Sequence, residues 1–199
     1  MSELYLIAAI VFAVLDWIAV ARGRRFLEYV AKPATLAFLL LYAAEGADAS
    51  RYLLAALVLS LLGDVYLMLP EGLFPAGLAA FFLAHLAYIA DFDVPPLHRA
   101  GWFVVVAAAS LPLARRIIRA VRDVPLRIGV GLYMAVISLM VASAIGSWEI
   151  TAAVGALLFF VSDALIALDR FVAPIPGARL AIIVTYHLGQ LLLVIALRA

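Results

Sequence analysis

Two aspartates, Asp64 and Asp163, lie inside apolar stretches that are long enough to cross a membrane. Asp64 lies in the segment LVLSLLGDVYLML, and Asp163 lies in the segment GALLFFVSDALIAL. Because a carboxylate is costly to place in hydrocarbon, an aspartate within a membrane span is a functional-site hypothesis by default. Two such residues in similar surroundings indicate paired chemistry, in which one carboxyl group donates a proton and the other accepts one.

A pair of neighbouring carboxyl groups suits reactions that pass through an oxocarbenium-like state, as glycoside hydrolysis does. Two neighbouring carboxyls do not readily both ionise, so one keeps its proton as a general acid while the other acts as a base toward water. The alternative for Asp64 and Asp163 is a structural clamp, in which the carboxylate bonds a neighbouring helix or pairs with Lys32. The spacing leaves both interpretations open.

Asp16 and Lys32 extend the candidate pocket. Asp16 lies in the first apolar stretch at a depth similar to that of the other two aspartates, roughly 7–8 Å from one end of its helix. Lys32 is near in sequence at the same end, so three carboxylates and a lysine can line one polar pocket, although a clamp is the preferred interpretation for Asp16. Gly63 and Ser162 precede the paired aspartates, and such small residues allow helices to approach closely.

Five further polar residues lie within apolar stretches and are candidate pocket-lining residues: His85, Tyr88, Tyr186, His187 and Gln190. Spacings of three and four residues place His85 with Tyr88, and Tyr186 with Gln190, on common helix faces. These groups suit a polar headgroup or an ordered water, and interhelical hydrogen bonds are the alternative. Metal binding is a minor alternative because no HExxH motif or close ligand spacing is present. We therefore expect no metal and no cofactor.

The composition predicts an integral membrane protein. Of the 199 residues, 68% are hydrophobic and only 14% are charged, and the mean hydropathy is +1.18. Both values are far from those of a soluble domain. The net charge of +1 indicates no nucleic-acid partner, and the absence of cysteine excludes disulfides, zinc–thiolate sites and thiol nucleophiles.

The hydrophobic pattern predicts an all-α, polytopic fold in one transmembrane domain over 1–199. Most apolar stretches are near the 20 residues that a bilayer requires. The short second helix is predicted to begin at Pro33, since proline suits the first helical position. Pro112 interrupts the fifth stretch. The eight expected helices cover roughly residues 3–21, 33–44, 52–69, 74–90, 100–118, 126–146, 148–168 and 179–197.

Arginine and lysine predict the orientation. Eleven of the fourteen fall at the loops after the first, third, fifth and seventh helices. The positive-inside rule places those loops in the cytoplasm and both termini outside it. The first apolar stretch lacks a basic start and a small-residue cleavage site, so it is interpreted as a retained span. We expect the cytoplasmic (inner) membrane of a bacterium.

The chain contains a weak tandem repeat of four helices, with halves 1–92 and 93–199. GDVYLML in the third helix is similar to SDALIAL in the seventh, and AHLAYI in the fourth is similar to YHLGQLL in the eighth. The two aspartates are 99 residues apart, and His85 and His187 are 102 apart. Four helices per half give a parallel repeat about an axis along the membrane normal, which brings the third and seventh helices together.

Four segments together resemble the YhhN-like membrane proteins, the family of the eukaryotic lysoplasmalogenases. They are Lys32-Pro33, LLGDVYLMLPEGLFPAGLAAFFLAHLAYI, GALLFFVSDALIALDRF and TYHLGQLLL, in the family's order. The resemblance implies eight helices and hydrolysis of the vinyl-ether bond of lysoplasmalogens to a fatty aldehyde and a glycerophospho-alcohol. It also implies that the family's paired aspartates are Asp64 and Asp163.

The leading interpretation is therefore an intramembrane hydrolase whose lysophospholipid substrate enters from the bilayer with its headgroup toward the arginine-rich side. A proton-coupled transporter or lipid carrier is a different class that also uses buried aspartates. An intramembrane aspartyl protease is a second enzyme alternative, but its GxGD pattern is absent because Leu61 and Leu62 precede Gly63 and Asp64.

Overall fold

Eight long helices form the protein. The computed structural model describes residues 1–69 and 71–198; residues 70 and 199, which the predicted segments include, lie outside the described residues. Within them no strand occurs, and all eight helices are long and apolar enough to cross a membrane, as predicted. A short 3-10 turn, Glu71–Leu73, precedes α4, and a π-helical segment, Leu168–Val172, extends α7. The helices are α1 Ser2–Ala21, α2 Arg25–Ala44, α3 Arg51–Met68, α4 Phe74–Asp91, α5 Pro96–Ala120, α6 Val124–Gly146, α7 Ile150–Ala167 and α8 Ala178–Leu197.

The helices pack mainly as sequential pairs, α1 with α2, α3 with α4, α5 with α6, and α7 with α8. The chain closes on itself because α8 packs against α1 and α2, while α4 packs against α6. Helix α6 is the most deeply buried of the eight and α5 the most exposed. Most of the candidate site residues face the interior of the bundle from α2, α3, α4, α6, α7 and α8.

Close backbone contact between α7 and α8 depends on two glycines. A Cβ atom at Gly155 would lie 2.9 Å from the Leu193 nitrogen, and one at Gly189 would lie 2.9 Å from the Gly155 oxygen. Small residues at such crossings let membrane helices approach closely. This contact fixes the helix of Asp163 directly against the helix of Tyr186.

The predicted start of the second helix is wrong. Helix α2 begins at Arg25, and Pro33 lies inside it rather than at its first position. A proline there removes one backbone donor and leaves the carbonyl of Tyr29, four residues earlier, without its helical partner. Lys32 consequently lies two turns inside the helix rather than in the preceding loop, and its side chain points into the bundle.

Two other boundaries also differ from the prediction. Helix α5 runs from Pro96, where proline occupies the first turn, through Pro112 to Ala120. Helix α7 begins at Ile150 because Trp148 adopts a left-handed φ of 61° and the Glu149 carboxylate caps the helix by accepting from the Thr151 nitrogen at 3.3 Å.

Candidate active site

Asp64 is buried on α3 and has two strong donors. Lys32 Nζ from α2 lies 2.9 Å from Asp64 Oδ1, and the Tyr186 hydroxyl from α8 donates to Oδ2 at 2.8 Å. Only 1% of the Asp64 side chain is exposed, against 14% for Lys32. A cation and a hydroxyl donor together favour the charged carboxylate. The contacts are those of a carboxylate held ionised between three helices.

Asp163 on α7 has different neighbours. The Tyr133 hydroxyl from α6 donates to Asp163 Oδ2 at 2.5 Å, and His85 Nε2 from α4 lies 3.9 Å from the same oxygen. His85 Nδ1 lies 2.5 Å from the Phe81 carbonyl oxygen, so a neutral ring carries its proton on Nδ1 and presents an acceptor at Nε2. In the described part of the chain no lysine or arginine lies within 4 Å of Asp163. This site therefore suits a carboxyl group that holds a proton.

One aromatic cluster connects the two aspartates. Tyr186, which bonds Asp64, contacts Phe159 with ring centroids 5.2 Å apart. Phe159 in turn lies 4.8 Å from the ring of His85, which lies 5.3 Å from the ring of Tyr133. The cluster packs edge to face, the arrangement that aromatic quadrupoles favour. The tyrosine donors of both aspartates, Tyr186 and Tyr133, therefore belong to one aromatic cluster.

The contacts of the two aspartates are arranged alike. Each accepts from the second helix of its own half, Asp64 from Lys32 and Asp163 from Tyr133, and these donors are 101 residues apart. Tyr88 donates to Gln190 Oε1 at 2.5 Å, and these two residues are 102 apart. Such contacts are what a four-plus-four repeat would produce, and the division into halves stays a prediction.

Tyr88 and Gln190 also extend the network of Asp64. Gln190 Nε2 donates to the Tyr186 hydroxyl at 3.4 Å while its Oε1 accepts from Tyr88. All three side chains are buried. The Gln190 amide donates to a lone pair of the Tyr186 hydroxyl oxygen. This contact orients the hydroxyl so that its proton points toward Asp64.

Asp16 belongs to a separate polar cluster. His187 Nε2 lies 3.9 Å from Asp16 Oδ2, and Trp17 Nε1 donates to His187 Nδ1 at 3.2 Å. Neither Asp16 oxygen has a hydrogen-bond partner among the described residues. Lys32 pairs with Asp64 rather than with Asp16. Of the three candidate carboxylates, Asp64 and Asp163 therefore share the aromatic cluster through their tyrosine donors, and Asp16 accepts from neither tyrosine.

Gly63 and Ser162 pack against neighbouring helices. A Cβ atom at Gly63 would lie 2.6 Å from the ring of Phe81, which fixes the α3–α4 contact. The Ser162 hydroxyl donates to the Ile182 carbonyl oxygen on α8 at 3.0 Å. Both residues therefore position the aspartates that follow them.

One cavity is lined by Asp163, and a second is lined by Lys32, the partner of Asp64. An apolar cavity of about 50 Å³ is lined by Asp163, Tyr133, Phe81 and Leu67 together with Phe74, Leu78, Ile117, Val130, Met134, Ile137, Phe160, Ala164, Ile166, Ala167 and Phe171. A second cavity of about 290 Å³, here called the vestibule, is lined by Arg25, Glu28, Tyr29, Lys32, Leu67, Met68 and Arg179. Leu67 lines both, so a polar space and an apolar space share one wall.

A sequence model of the YhhN family matches residues 27–197 of the chain. The chain belongs to the YhhN family. This confirms the resemblance that the motifs indicate. The matched range contains the aspartate pair, Lys32, Tyr133 and Tyr186, whereas Asp16 and Arg25 precede it.

Curated relatives of this YhhN-family chain include mammalian and bacterial proteins. It is 35% identical over 153 residues to mouse lysoplasmalogenase TMEM86B, covering 77% of the chain and 66% of the relative. It is 32% identical over 151 residues to human lysoplasmalogenase TMEM86A, covering 70% and 62%. The membrane protein YhhN of Escherichia coli O157:H7 is 46% identical over 70 residues, 34% of each chain. The chain spans somewhat under two thirds of the length of these lysoplasmalogenases. No solved structure matches it.

Several residues of this YhhN-family site are absent from the sequence prediction. Tyr133 is the most important, because it is the direct donor to Asp163. Tyr133 lies in an apolar stretch 101 residues after Lys32, an offset close to that of the predicted repeat, and this offset could have identified it. Leu67 and the vestibule residues other than Lys32 carry no such signal, because only the packing of α2 and α3 with the start of α8 brings them together.

Proposed function

We propose that the protein is an intramembrane hydrolase that cleaves the vinyl-ether bond of a lysoplasmalogen, or of a related lysolipid, to a fatty aldehyde and a glycerophospho-alcohol. The observation that carries the proposal is the shared wall at Leu67. Leu67 lines both the apolar cavity that contains Asp163 and the polar vestibule that contains Lys32. An amphiphile with a charged head and one chain fits this division, and the names of the mammalian relatives support it.

Asp163 is proposed as the general acid. It is the carboxyl group that lines the apolar cavity, and Tyr133 occupies Oδ2, which leaves Oδ1 to carry the proton. Proton transfer from Asp163 to the outer vinyl carbon produces an oxocarbenium ion at the ether oxygen. The carboxylate left on Asp163 attracts this cation, and the attraction is stronger in apolar surroundings than in water.

Asp64 is proposed as the base and as the charge that stabilises the oxocarbenium ion. Lys32 and Tyr186 donate to Asp64 and favour its ionised form, and Tyr186 contacts Phe81, which lines the apolar cavity. Asp64 accepts a proton as water adds to the cationic carbon, which gives a hemiacetal. When the hemiacetal collapses, Asp64 returns this proton to the leaving alkoxide, and the hemiacetal hydroxyl proton returns to Asp163. One water is consumed and both carboxyls recover their starting states.

The membrane supplies the substrate directly. The protein is integral to the membrane, and a single-chain lipid enters laterally between helices with its headgroup toward the arginine-rich end. We place this end in the cytoplasm of a bacterium, with the protein in the inner membrane and both termini outside. The arrangement needs no cofactor.

The decisive experiment measures fatty aldehyde released from an ethanolamine lysoplasmalogen by the purified protein in detergent. Aldehyde formation without a membrane gradient supports a hydrolase, and an acyl lysophospholipid of equal chain length controls for ester cleavage. A proton-coupled transporter or lipid carrier would bind the lipid under these conditions and release no aldehyde. An aspartyl protease would cleave a membrane peptide and leave the lipid intact.

A further inference from the structure

The vestibule brings charges of both signs to one polar space. Its charged side chains come from the N-terminal part of α2 and the first turn of α8, and they are Arg25, Glu28, Lys32 and Arg179. Three of these are cations and one is an acid, and the half-exposed ring of Tyr29 lies beside them. Leu67 and Met68 of α3 form the apolar side. Such a lining suits a ligand that itself carries both a negative and a positive group.

The three cations differ in how far they are neutralised. Lys32 is paired with Asp64 at 2.9 Å, and both oxygens of Glu28 accept from Arg179 Nη2 at 2.8 and 2.9 Å. Arg25 has no acidic partner within 4 Å among the described residues. Its planar guanidinium presents donors that match a phosphate. Within the described part of the chain, the vestibule thus has a cation without an acidic partner beside the lysine that contacts Asp64.

Glu28 and Tyr29 supply groups that can bind a cation. The Glu28 side chain is 19% exposed, so its carboxylate is accessible to a second cation while it holds Arg179. The Tyr29 ring is half exposed, and its hydroxyl lies 3.4 Å from the Met68 carbonyl oxygen, which turns the ring along the vestibule wall. Ammonium groups bind both carboxylates and the faces of aromatic rings.

We infer that the vestibule is a binding site for a phosphate–amine zwitterion, the headgroup of a lysophospholipid, and that Glu28 selects amine-bearing headgroups over a bare phosphate. Arg25 and Lys32 hold the phosphate, and Glu28 and Tyr29 hold the ammonium. The lipid chain continues past Leu67 into the apolar cavity. The inference rests on the proposed function, since the headgroup belongs to the lipid that is hydrolysed.

The test uses two lysolipids that cannot be hydrolysed, each with a saturated alkyl ether chain, one carrying phosphoethanolamine and the other a bare phosphate. Their dissociation constants are measured with the purified full chain in nanodiscs. We expect the wild type to prefer phosphoethanolamine. Glu28→Gln should lower this preference about tenfold, the loss expected for one charge-assisted hydrogen bond. Arg25→Gln should weaken both ligands by a similar factor.

Arg179→Gln is the matched control, because it breaks the same ion pair. It leaves Glu28 free for the amine, so the preference for phosphoethanolamine should rise. A purely structural ion pair would make the Glu28 and Arg179 variants behave alike. Glu45→Gln, at the opposite end of α2, should leave the preference unchanged.

The inference is overturned if the preference is equal in all variants, or if Glu28→Gln and Arg179→Gln shift it in the same direction. The result is separable from the hydrolase proposal, because the probes report binding alone. If the variants shift the headgroup preference as expected but the protein releases no aldehyde from a vinyl-ether lipid, the headgroup site is supported and the hydrolase proposal is rejected. Aldehyde release from the vinyl-ether lipid, with a headgroup preference that is unchanged in the variants, would support the hydrolase and reject the headgroup site.

Discussion

Lys32 on α2 and Asp64 on α3 form an ion pair inside the bundle, with Nζ 2.9 Å from Oδ1 and the carboxylate almost fully buried. Asp163, the other paired aspartate, has a tyrosine hydroxyl in the corresponding place. This difference separates the two carboxyls chemically, because one faces a lysine side chain and the other a tyrosine hydroxyl. It underlies the proposed division into base and acid.

Removing Lys32 should destabilise the protein strongly. Lys32→Met leaves a charged, buried carboxylate without its partner, which costs about 3–5 kcal/mol in comparable cases. The double variant Lys32→Met/Asp64→Asn removes both charges and should recover most of the thermal stability in detergent without recovering activity. Full activity in the double variant would show that the pair is only a structural clamp.

Tyr133 should matter for turnover more than for folding. Tyr133→Phe keeps the ring against His85 and removes only the hydroxyl that donates to Asp163. We expect a fall in kcat of about tenfold, the effect of one strong hydrogen bond, with little change in unfolding temperature. Tyr5→Phe, on α1 and outside the site, is the matched control. An unchanged kcat in Tyr133→Phe would show that the Tyr133 hydroxyl has no role in turnover.

The rate should depend on pH with an acidic and an alkaline limb. One carboxyl must be protonated and the other ionised, so the profile is bell-shaped and its limbs belong to the pair. Protonation of the base reduces the rate at low pH, and loss of the acid's proton reduces it at high pH. Asp163→Asn should preferentially remove the alkaline limb from any residual activity. A flat profile between pH 4 and 9, with the chemical step rate-limiting, would contradict the two-carboxylate mechanism.

The orientation can be tested with single cysteines, since the chain has none. Arg24→Cys lies in the exposed turn between α1 and α2, and Asp48→Cys lies in the exposed turn between α2 and α3. A membrane-impermeant maleimide should label Asp48→Cys in intact cells and Arg24→Cys only after permeabilisation. The opposite pattern would invert the predicted topology.

The sequence predicted the number of spans because hydropathy depends on short stretches of the chain. The aspartates could be found for the same reason, since a charge within such a stretch is conspicuous. The partners of those aspartates depend on contacts between distant segments, such as Tyr186 with Asp64 across 122 residues. The error at Pro33 has a local cause: proline is usual at a helix start, and only tertiary packing reveals that α2 continues through it.

Asp163 is proposed to donate the proton that activates the vinyl ether, and Asp64 is proposed to act as the base toward water. The most direct test is aldehyde release from a lysoplasmalogen by purified Asp163→Asn and Asp64→Asn proteins, with Asp16→Asn as the matched control. Both paired variants should remain folded and lose at least about 100-fold in turnover, the scale of general acid–base catalysis, whereas Asp16→Asn should keep most of it. Near-wild-type aldehyde release by either paired variant would contradict the account.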